Sequence, residues 1–335
     1  MKKILITGAT GFIGSFLVEE ALKQGMEVYA GVRASSNKQY LADERIRFID
    51  LKYYDKKLLV GQLSELKKTV GKFDRIVHNM GVTKCNNKND FDRINFGYTK
   101  NFVEALIEAD AVPEKFVYMS SLSAWGAGNA KTGKPIMLSD KPAPDTLYGQ
   151  SKLRAEQFIA SLSNFPYIFL RPTGVYGPRE KDYFVFNKTL SNGIEPAMGF
   201  KPQYLTFIYV RDLVKLVFLA CESPIKQKGY FVSDGKEYTD TEYAAIVKKH
   251  LGRKHVLKIR VPLFVVSCIA CIADTVCGWF GKSPTLNRDK YKLLRVRNWK
   301  CEIEPTQQDF AFTANYDLDK GTEEAIKWYR NEKWL

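Results

Sequence analysis

An α/β fold, a doubly wound parallel sheet carrying a smaller C-terminal lobe, is predicted by two features of the sequence. The first is the opening stretch "KKILITGATGFIGSFLVEEALKQGMEVYAGVR", which reads as strand, glycine turn, helix and second strand. The second is that strand and helix signals keep alternating through roughly the first half of the chain, the pattern of a sheet with helices on both faces. The 335 residues allow one large domain or two ordinary ones. With 45% hydrophobic and 13% aromatic residues the chain can build a sizeable core. No stretch has the composition of disorder, and no repeat recurs at a solenoid period.

In the opening unit "ILIT" is a short β-rich run, and Gly8, Gly11 and Gly14 punctuate the turn after it. From Phe12 the apolar residues take helical spacing: Phe12, Ile13, Phe16, Leu17 and Ala21. Gly25 is placed to end that helix as a C-terminal cap. Gly8 permits the tight turn, Gly11 lets backbone N–H groups approach a pyrophosphate at the helix N-terminus, and Gly14 lets helix and strand pack closely. This is a Rossmann-type, dinucleotide-binding unit, with G-x-x-G-x-x-G spacing in place of the commoner G-x-G-x-x-G. Gly8, Thr10, Gly11, Phe12, Ile13 and Gly14 are its candidate cofactor residues. The second strand ends Gly31-Val32-Arg33 with no carboxylate to receive a ribose 2′-hydroxyl, whereas Arg33 suits a 2′-phosphate. NADP(H) is therefore favoured over NAD(H), with Arg33 stacking on adenine as the alternative. Asp50 and Leu51 close "IRFIDL" where the adenine would lie.

Farther along, "FDRIVHNMG", "EKFVYMSS" and "YIFLRPTGVYGP" read as strands, and "DFDRINFGYTKNFVEALIEA" and "TLYGQSKLRAEQFIASL" as helices. "GYFVSDG" returns to the sheet. The expected organisation is a nucleotide-binding domain over 1–176, rejoined by 205–235. A substrate lobe comprises 177–204 and 236–312, and 313–335 form a helical tail.

Charge and cysteines narrow the partners. The net charge is +14 from 51 Lys+Arg against 37 Asp+Glu. Between Lys236 and Lys300 there are 14 basic and 5 acidic residues. That excess is read as a solvated face, and it could also steer an anionic substrate. Aromatics are not interleaved with it, which argues against nucleic acid. Cys268-x-x-Cys271 has metal-ligand spacing but too few companions for a closed zinc site, so buried thiols on an apolar helix are expected and no metal. The run Val261–Ala273 carries no charge over 13 residues, too short to span a membrane. A buried helix is expected there, with an interfacial helix or the wall of a substrate cavity as alternatives; the surrounding apolar segment extends over 261–280. Met1-Lys2-Lys3 runs directly into the first strand, which leaves no room for a signal peptide and predicts a cytoplasmic location.

The chemistry is carried by "TLYGQSKLRAE". Tyr148 and Lys152, four residues apart, share a helix face. A tyrosine is a poor base at neutral pH; lowering its pKa by about three units takes about 4 kcal/mol, within reach of a close ammonium. "FVYMSSLSAWG" offers Ser120, Ser121 and Ser123 at a strand end upstream, where a hydroxyl could polarise the reacting oxygen.

The order of these pieces, "TGATGFIG", "DL" at 50–51, "INFGYTKNFVEA", "FVYMSSLSAWG", "YGQSK" and "LRPTGVYGPRE", resembles the extended short-chain dehydrogenase/reductase family in its epimerase/dehydratase-like branch. The resemblance covers most of the chain and is specific to about residue 180. It implies hydride transfer on NAD(P) with Tyr148 as acid/base, Lys152 as activator and Ser121 as polariser. It also implies that Met80, Asn95, Pro172 and Val175 meet the cofactor, that Ser123 lies on the substrate side with Thr83 and Arg179, and that the protein is a homodimer. Two departures stand out. "HNMG" at 78–81 replaces a His-x-Ala-Ala type run, and Pro172-Thr173-Gly174 replaces an asparagine-bearing segment of sugar-nucleotide members. The second resembles the 3β-hydroxysteroid dehydrogenase and dihydroflavonol reductase branches. The expected function is interconversion of a secondary alcohol and a ketone on a small-molecule substrate. The alternatives are a nucleotide-sugar 4-epimerase or dehydratase with tightly bound NAD, and a non-catalytic dinucleotide sensor.

Overall fold

The computed structural model describes residues 1–279, 284 and 286–335. The chain divides into two compact units. The first comprises Met1–Ala124, Leu147–Arg171 and Val214–Tyr230, and the second Trp125–Thr146, Pro172–Leu213 and Phe231–Leu335.

The first unit is built on a seven-stranded sheet. Its strands in chain order are β1 (Lys3–Thr7), β2 (Glu27–Gly31), β3 (Arg47–Ile49), β4 (Arg75–His78), β5 (Lys115–Met119) and β6 (Tyr167–Pro172), joined by a later strand, Lys228–Val232. That last strand lies beside β6, and the order runs on through β5, β4, β1, β2 and β3. Every neighbouring pair from β6 to β3 is parallel. The order reverses between β1 and β4, and ligands of such sheets bind outside the carboxyl ends of the strands at that point.

The helices follow from their sequence signals. α1 (Phe12–Lys23) ends where Gly25 N–H reaches Leu22 O and Met26 N–H reaches Ala21 O, both at 3.0 Å, a Schellman closure of the last carbonyls. α2 (Lys56–Val70) is capped by the Asp55 side chain, which accepts from Leu58 N–H. The segment predicted as one helix from 90 onward is a π-helical stretch, Phe91–Tyr98, continuing into α3 (Thr99–Glu108). α4 (Leu147–Ala160) carries the tyrosine and the lysine. Leu5, Ile76, Phe102, Phe116, Ala155 and Ile159 join in one core between sheet and helices.

A buried ion pair locks α4 to β6. Arg171, on β6, donates to both Glu156 oxygens at 2.7–3.1 Å, and both side chains are shielded from water. Such a pair costs desolvation on both sides, so its net worth is small while its loss is expensive.

The second unit contains β7 (Gly174–Tyr176), α5 (Asp182–Ser191), β8 (Ile194–Met198), β9 (Tyr204–Leu205), β10 (Phe207–Tyr209) and most of the chain that follows, beginning with the first residues of α6 (Val210–Glu222). Naming the returning sheet strand β11 (Lys228–Val232), it continues with β12 (Tyr238–Thr239), α7 (Asp240–Leu251), β13 (Leu257–Val261), α8 (Leu263–Trp279), α9 (Arg288–Leu294), α10 (Glu304–Phe310) and α11 (Leu318–Asn331). Its core gathers Tyr176, Leu190, Phe207, Tyr243, Val247 and Leu318. α7 opens on a complete capping box between Thr239 and Glu242.

One expectation is overturned here. The uncharged run forms α8, but that helix is not buried: among its described side chains only Val266 and Ala270 are enclosed, while Phe264 is 70% and Ile272 64% exposed. Cys268 is exposed as well, so it is not the buried thiol expected. An apolar run sets helical propensity, but whether it is buried depends on how many neighbours pack around it, and α8 is packed on one side only. Residue 280, at the end of the apolar segment, lies outside the described residues. Among the described residues no helix is long and apolar enough to cross a membrane.

Glu156→Ala should lower unfolding free energy by about 3–5 kcal/mol in urea titration, because it takes the carboxylate away from a buried guanidinium. A change under about 1 kcal/mol would show that the pair does not hold α4 to β6.

Candidate active site

The turn after β1 is shaped by two glycines. Gly8 sits at φ +66° and a Cβ there would lie 2.9 Å from Asn79 O; a Cβ on Gly14 would lie 2.1 Å from Gly8 O. No side chain caps α1, whose N-cap is Gly11, and its first turn holds no acidic residue. The first-turn N–H groups are thus left for an anion, with Thr10, Phe12 and Ile13 in the same turn. These residues fit the pyrophosphate of a dinucleotide.

At the end of β2, Arg33 is exposed and forms a tight turn with Ser36: Ser36 N–H donates to Arg33 O at 2.9 Å, and Arg33 N–H to Ser36 Oγ at 3.2 Å. Asp50 pairs with Lys52 Nζ at 2.6 Å. Leu51 packs into the core, so only its backbone can face a ligand.

Behind the turn lies a polar chain that sequence reasoning missed. His78 is fully buried at the end of β4, stacked against Phe102 and Tyr118 at 5.2 and 5.8 Å. Its Nδ1 is 3.0 Å from Thr7 Oγ1 and its Nε2 3.0 Å from Thr99 Oγ1. The Thr99 hydroxyl gives its only proton to Asn95 O at 2.8 Å, so His78 Nε2 must be the donor. Thr7 Oγ1 accepts from Met80 N–H at 3.1 Å and gives its own proton to Nδ1. Burial, and secondarily the Lys152 charge, push the His78 pKa down to about 3, so the ring is neutral. One imidazole therefore ties the turn strand, the exit of β4 at Met80 and the π-helical stretch.

Asn95, also fully buried, extends the chain. Its Oδ1 accepts from Val82 N–H at 2.7 Å; its Nδ2 donates to Val82 O and to Ser151 Oγ, each at 3.0 Å. Ser151 Oγ in turn donates to Tyr148 O at 2.7 Å. Asn95 thus fixes the loop after β4 and the first turn of α4 together. The signal that could have found this chain is a histidine at the end of an otherwise apolar strand, where a polar group needs partners on both sides.

Tyr148, Lys152 and Ser121 come together. The Ser121 hydroxyl hydrogen-bonds the Tyr148 phenol, and Tyr148 packs edge-on against Phe91 at 6.4 Å. Ser123 N–H donates to Ser121 Oγ at 3.2 Å. Lys152 Nζ donates to Met119 O at 2.8 Å and lies 4.8 Å over the Tyr118 ring. A Cβ on Gly81 would lie 3.1 Å from Lys152 Nζ, so the "HNMG" variation leaves room beside the lysine. Burial lowers the Lys152 pKa to about 8, partly offset by Glu156. Burial raises the Tyr148 pKa and the Ser121 hydrogen bond lowers it. Lys152 is held by a backbone carbonyl, and burial is the larger influence on the tyrosine.

The remaining candidates lie elsewhere. Thr83 is exposed on the loop after β4. Pro172, Val175 and Arg179 belong to the second unit, where Val175 pairs with Ile208 and Arg179 takes a left-handed backbone, φ +72°.

Residues 4–232 match the NAD dependent epimerase/dehydratase family. The chain belongs to this family. Its members include NAD-dependent epimerases, dehydratases and hydroxysteroid dehydrogenases. The chain is 27% identical to a UDP-glucose 4-epimerase of Vibrio cholerae, over 86% of this chain and 85% of that protein. It is 28% identical to a 3-beta-hydroxysteroid dehydrogenase of Mycolicibacterium neoaurum, over 98% and 91%. A solved dTDP-glucose 4,6-dehydratase of Bacillus anthracis, in complex with NAD, shares the fold at a TM-score of 0.77, with 18% identity over 100% of this chain and 99% of that one.

A neutral buried histidine predicts a sign for acid stability. An unfolded His78 takes up its proton near pH 6.5 and the folded one only near pH 3, so its contribution is complete above pH 6.5 and is lost as pH falls toward 3. Between pH 6 and pH 4 this residue should cost about 1.4 kcal/mol per pH unit in urea titrations. His78→Gln should flatten that slope; an unchanged slope would show that another group sets it.

Proposed function

We propose that this protein is an NAD(P)(H)-dependent oxidoreductase that interconverts a secondary alcohol and a ketone on a small molecule. The observation that carries the reading is the hydrogen bond between Ser121 and Tyr148, one helical turn from Lys152 at the end of β5. The bound nicotinamide would supply or accept hydride. Tyr148 is held as a neutral phenol, which suits it to give its proton to the substrate oxygen as a ketone becomes an alcohol. Ser121, which already bonds the phenol, is placed to hold the same oxygen. Lys152 is the positioning cation, anchored by Met119 O and fit to meet the ribose side of the cofactor. Asn95 acts through Ser151 on the first turn of α4. The substrate lobe is proposed to comprise 177–204 and 236–312, with Thr83, Ser123 and Arg179 on the substrate side and Pro172 and Val175 toward the nicotinamide.

A second reading is a nucleotide-sugar epimerase or dehydratase, in which the same hydride step is reversed or redirected. Similarity to the Vibrio UDP-glucose 4-epimerase and the basic excess of 236–300 favour it. The two separate on cofactor behaviour: an exchangeable dinucleotide supports the first, a retained NAD the second.

Tyr148→Phe should reduce turnover by roughly 10²–10⁴-fold while dinucleotide affinity stays unchanged. The assay follows nicotinamide absorbance with cyclic ketones and, in parallel, epimerisation of UDP- and dTDP-sugars. Turnover preserved in the variant would refute the mechanism. We also propose Arg33 as the reader of a 2′-phosphate, supported by its exposure at the end of β2 and the pairing of Asp50 with Lys52. Arg33→Ala should weaken NADP(H) binding by roughly 10–100-fold in calorimetry and leave NAD(H) binding within a few-fold. Equal losses for both dinucleotides would instead assign Arg33 to the adenine.

A further inference from the structure

The face of α8 left exposed among the described residues is continuous. Phe264, Cys268, Ile272 and Val276 recur every four residues along it, and Ile269 lies beside them. All are exposed, Phe264 by 70% and Ile272 by 64%, and the helix's one acidic residue, Asp274, is not on this face. The strand immediately before it, β13, adds Leu257 and Ile259, 67% and 42% exposed, on one side of a two-stranded ribbon with β8. Soluble surfaces rarely concentrate large apolar side chains in this way without a partner.

The charges around that face indicate the partner. Arg253, Lys254, Lys258 and Arg260 are all exposed, and no carboxylate occurs between Gly252 and Ala273. Glu195 reaches Lys258 at 2.8 Å, but it is shared with Lys248 at 2.6 Å, so the cluster keeps a positive excess. Among the described residues no helix is long and apolar enough to span a bilayer, and an apolar helix face beside Lys and Arg is the arrangement that lies in a membrane interface. A second copy of the chain fits poorly: two such faces would bring the same cations together, and Glu195 is already committed to Lys248 and Lys258.

We propose that α8 and β13 form a docking surface for an anionic lipid bilayer, with Phe264, Ile269, Ile272 and Val276 entering the headgroup–acyl boundary and Arg253 and Lys254, just ahead of β13, meeting lipid phosphates. The protein would then sit on a membrane surface as a peripheral enzyme, without a span. This stands independently of the chemistry at Tyr148.

Flotation of the full chain with phosphatidylcholine vesicles, with and without phosphatidylglycerol, tests it. Binding should be on the order of tenfold stronger with phosphatidylglycerol and should weaken as salt rises. Phe264→Ser/Ile272→Ser should abolish flotation with thermal unfolding unchanged, because both side chains are already in water. Leu257→Ser/Ile259→Ser is the second variant if the first unfolds, and it should weaken flotation severalfold. Arg253→Glu/Lys254→Glu should remove the preference for anionic vesicles. Absence of binding, or binding that survives both apolar variants, overturns the proposal. So would a concentration-dependent dimer in ultracentrifugation that Phe264→Ser/Ile272→Ser dissolves while no vesicles are bound, since the face would then be a contact between copies.

Discussion

The first unit depends on one neutral imidazole. His78 is shut away from water at the carboxyl end of β4, and a charged ring there would have to be desolvated beside Lys152. Kept neutral, it has one donor and one acceptor nitrogen, and both are used. Thr7 and Thr99 each have one hydroxyl proton to give, so the direction of every hydrogen bond from Met80 N–H through to Asn95 O is determined. A chain with a single proton arrangement gives the strand ends around it a single relative position. That matters because the glycine turn, the exit of β4 and the π-helical stretch all meet at the topological switch point of the sheet.

The chemistry inherits its geometry from this chain. Asn95 passes the constraint to Val82 and, through Ser151, to the backbone of Tyr148. From the other end of α4, Glu156 and Arg171 hold the helix to β6 and keep a negative charge one turn beyond Lys152. The lysine is thereby held between a carbonyl, an aromatic face and a carboxylate, in a setting that lowers its pKa without discharging it near neutrality. A buried phenol is raised by the same desolvation, so Tyr148 begins as a proton donor.

Much of this was legible in the sequence, and the limits are physical. Local grammar found β1, the glycine turn, α1 with its closure at Gly25, and the Tyr148–Lys152 face, because these depend on residues within one or two turns of each other. The late strand "GYFVSDG" is legible too, from its apolar run between glycines, and it lies in the sheet beside β6. Sequence could not show that Lys152 would turn to Met119 O, since the choice between a phenol and a carbonyl is made by tertiary distance. The roles of Thr7, His78 and Thr99 were missed because each is unremarkable alone; only burial makes their pairing obligatory. α8 departs from the buried helix its sequence suggests for the converse reason. Its lack of charge suggested a core helix, but the fold leaves most of that face in water, and hydrophobicity alone does not say whether the solvent is protein or something else.

The claim that a neutral, doubly bonded His78 organises the site is most directly tested by imidazole ¹⁵N chemical shifts, recorded between pH 5 and pH 8 on selectively labelled protein. A neutral ring is expected across that range, with the proton on Nε2 and Nδ1 unprotonated. A ring that titrates near pH 6.5, or one that carries its proton on Nδ1, would contradict it.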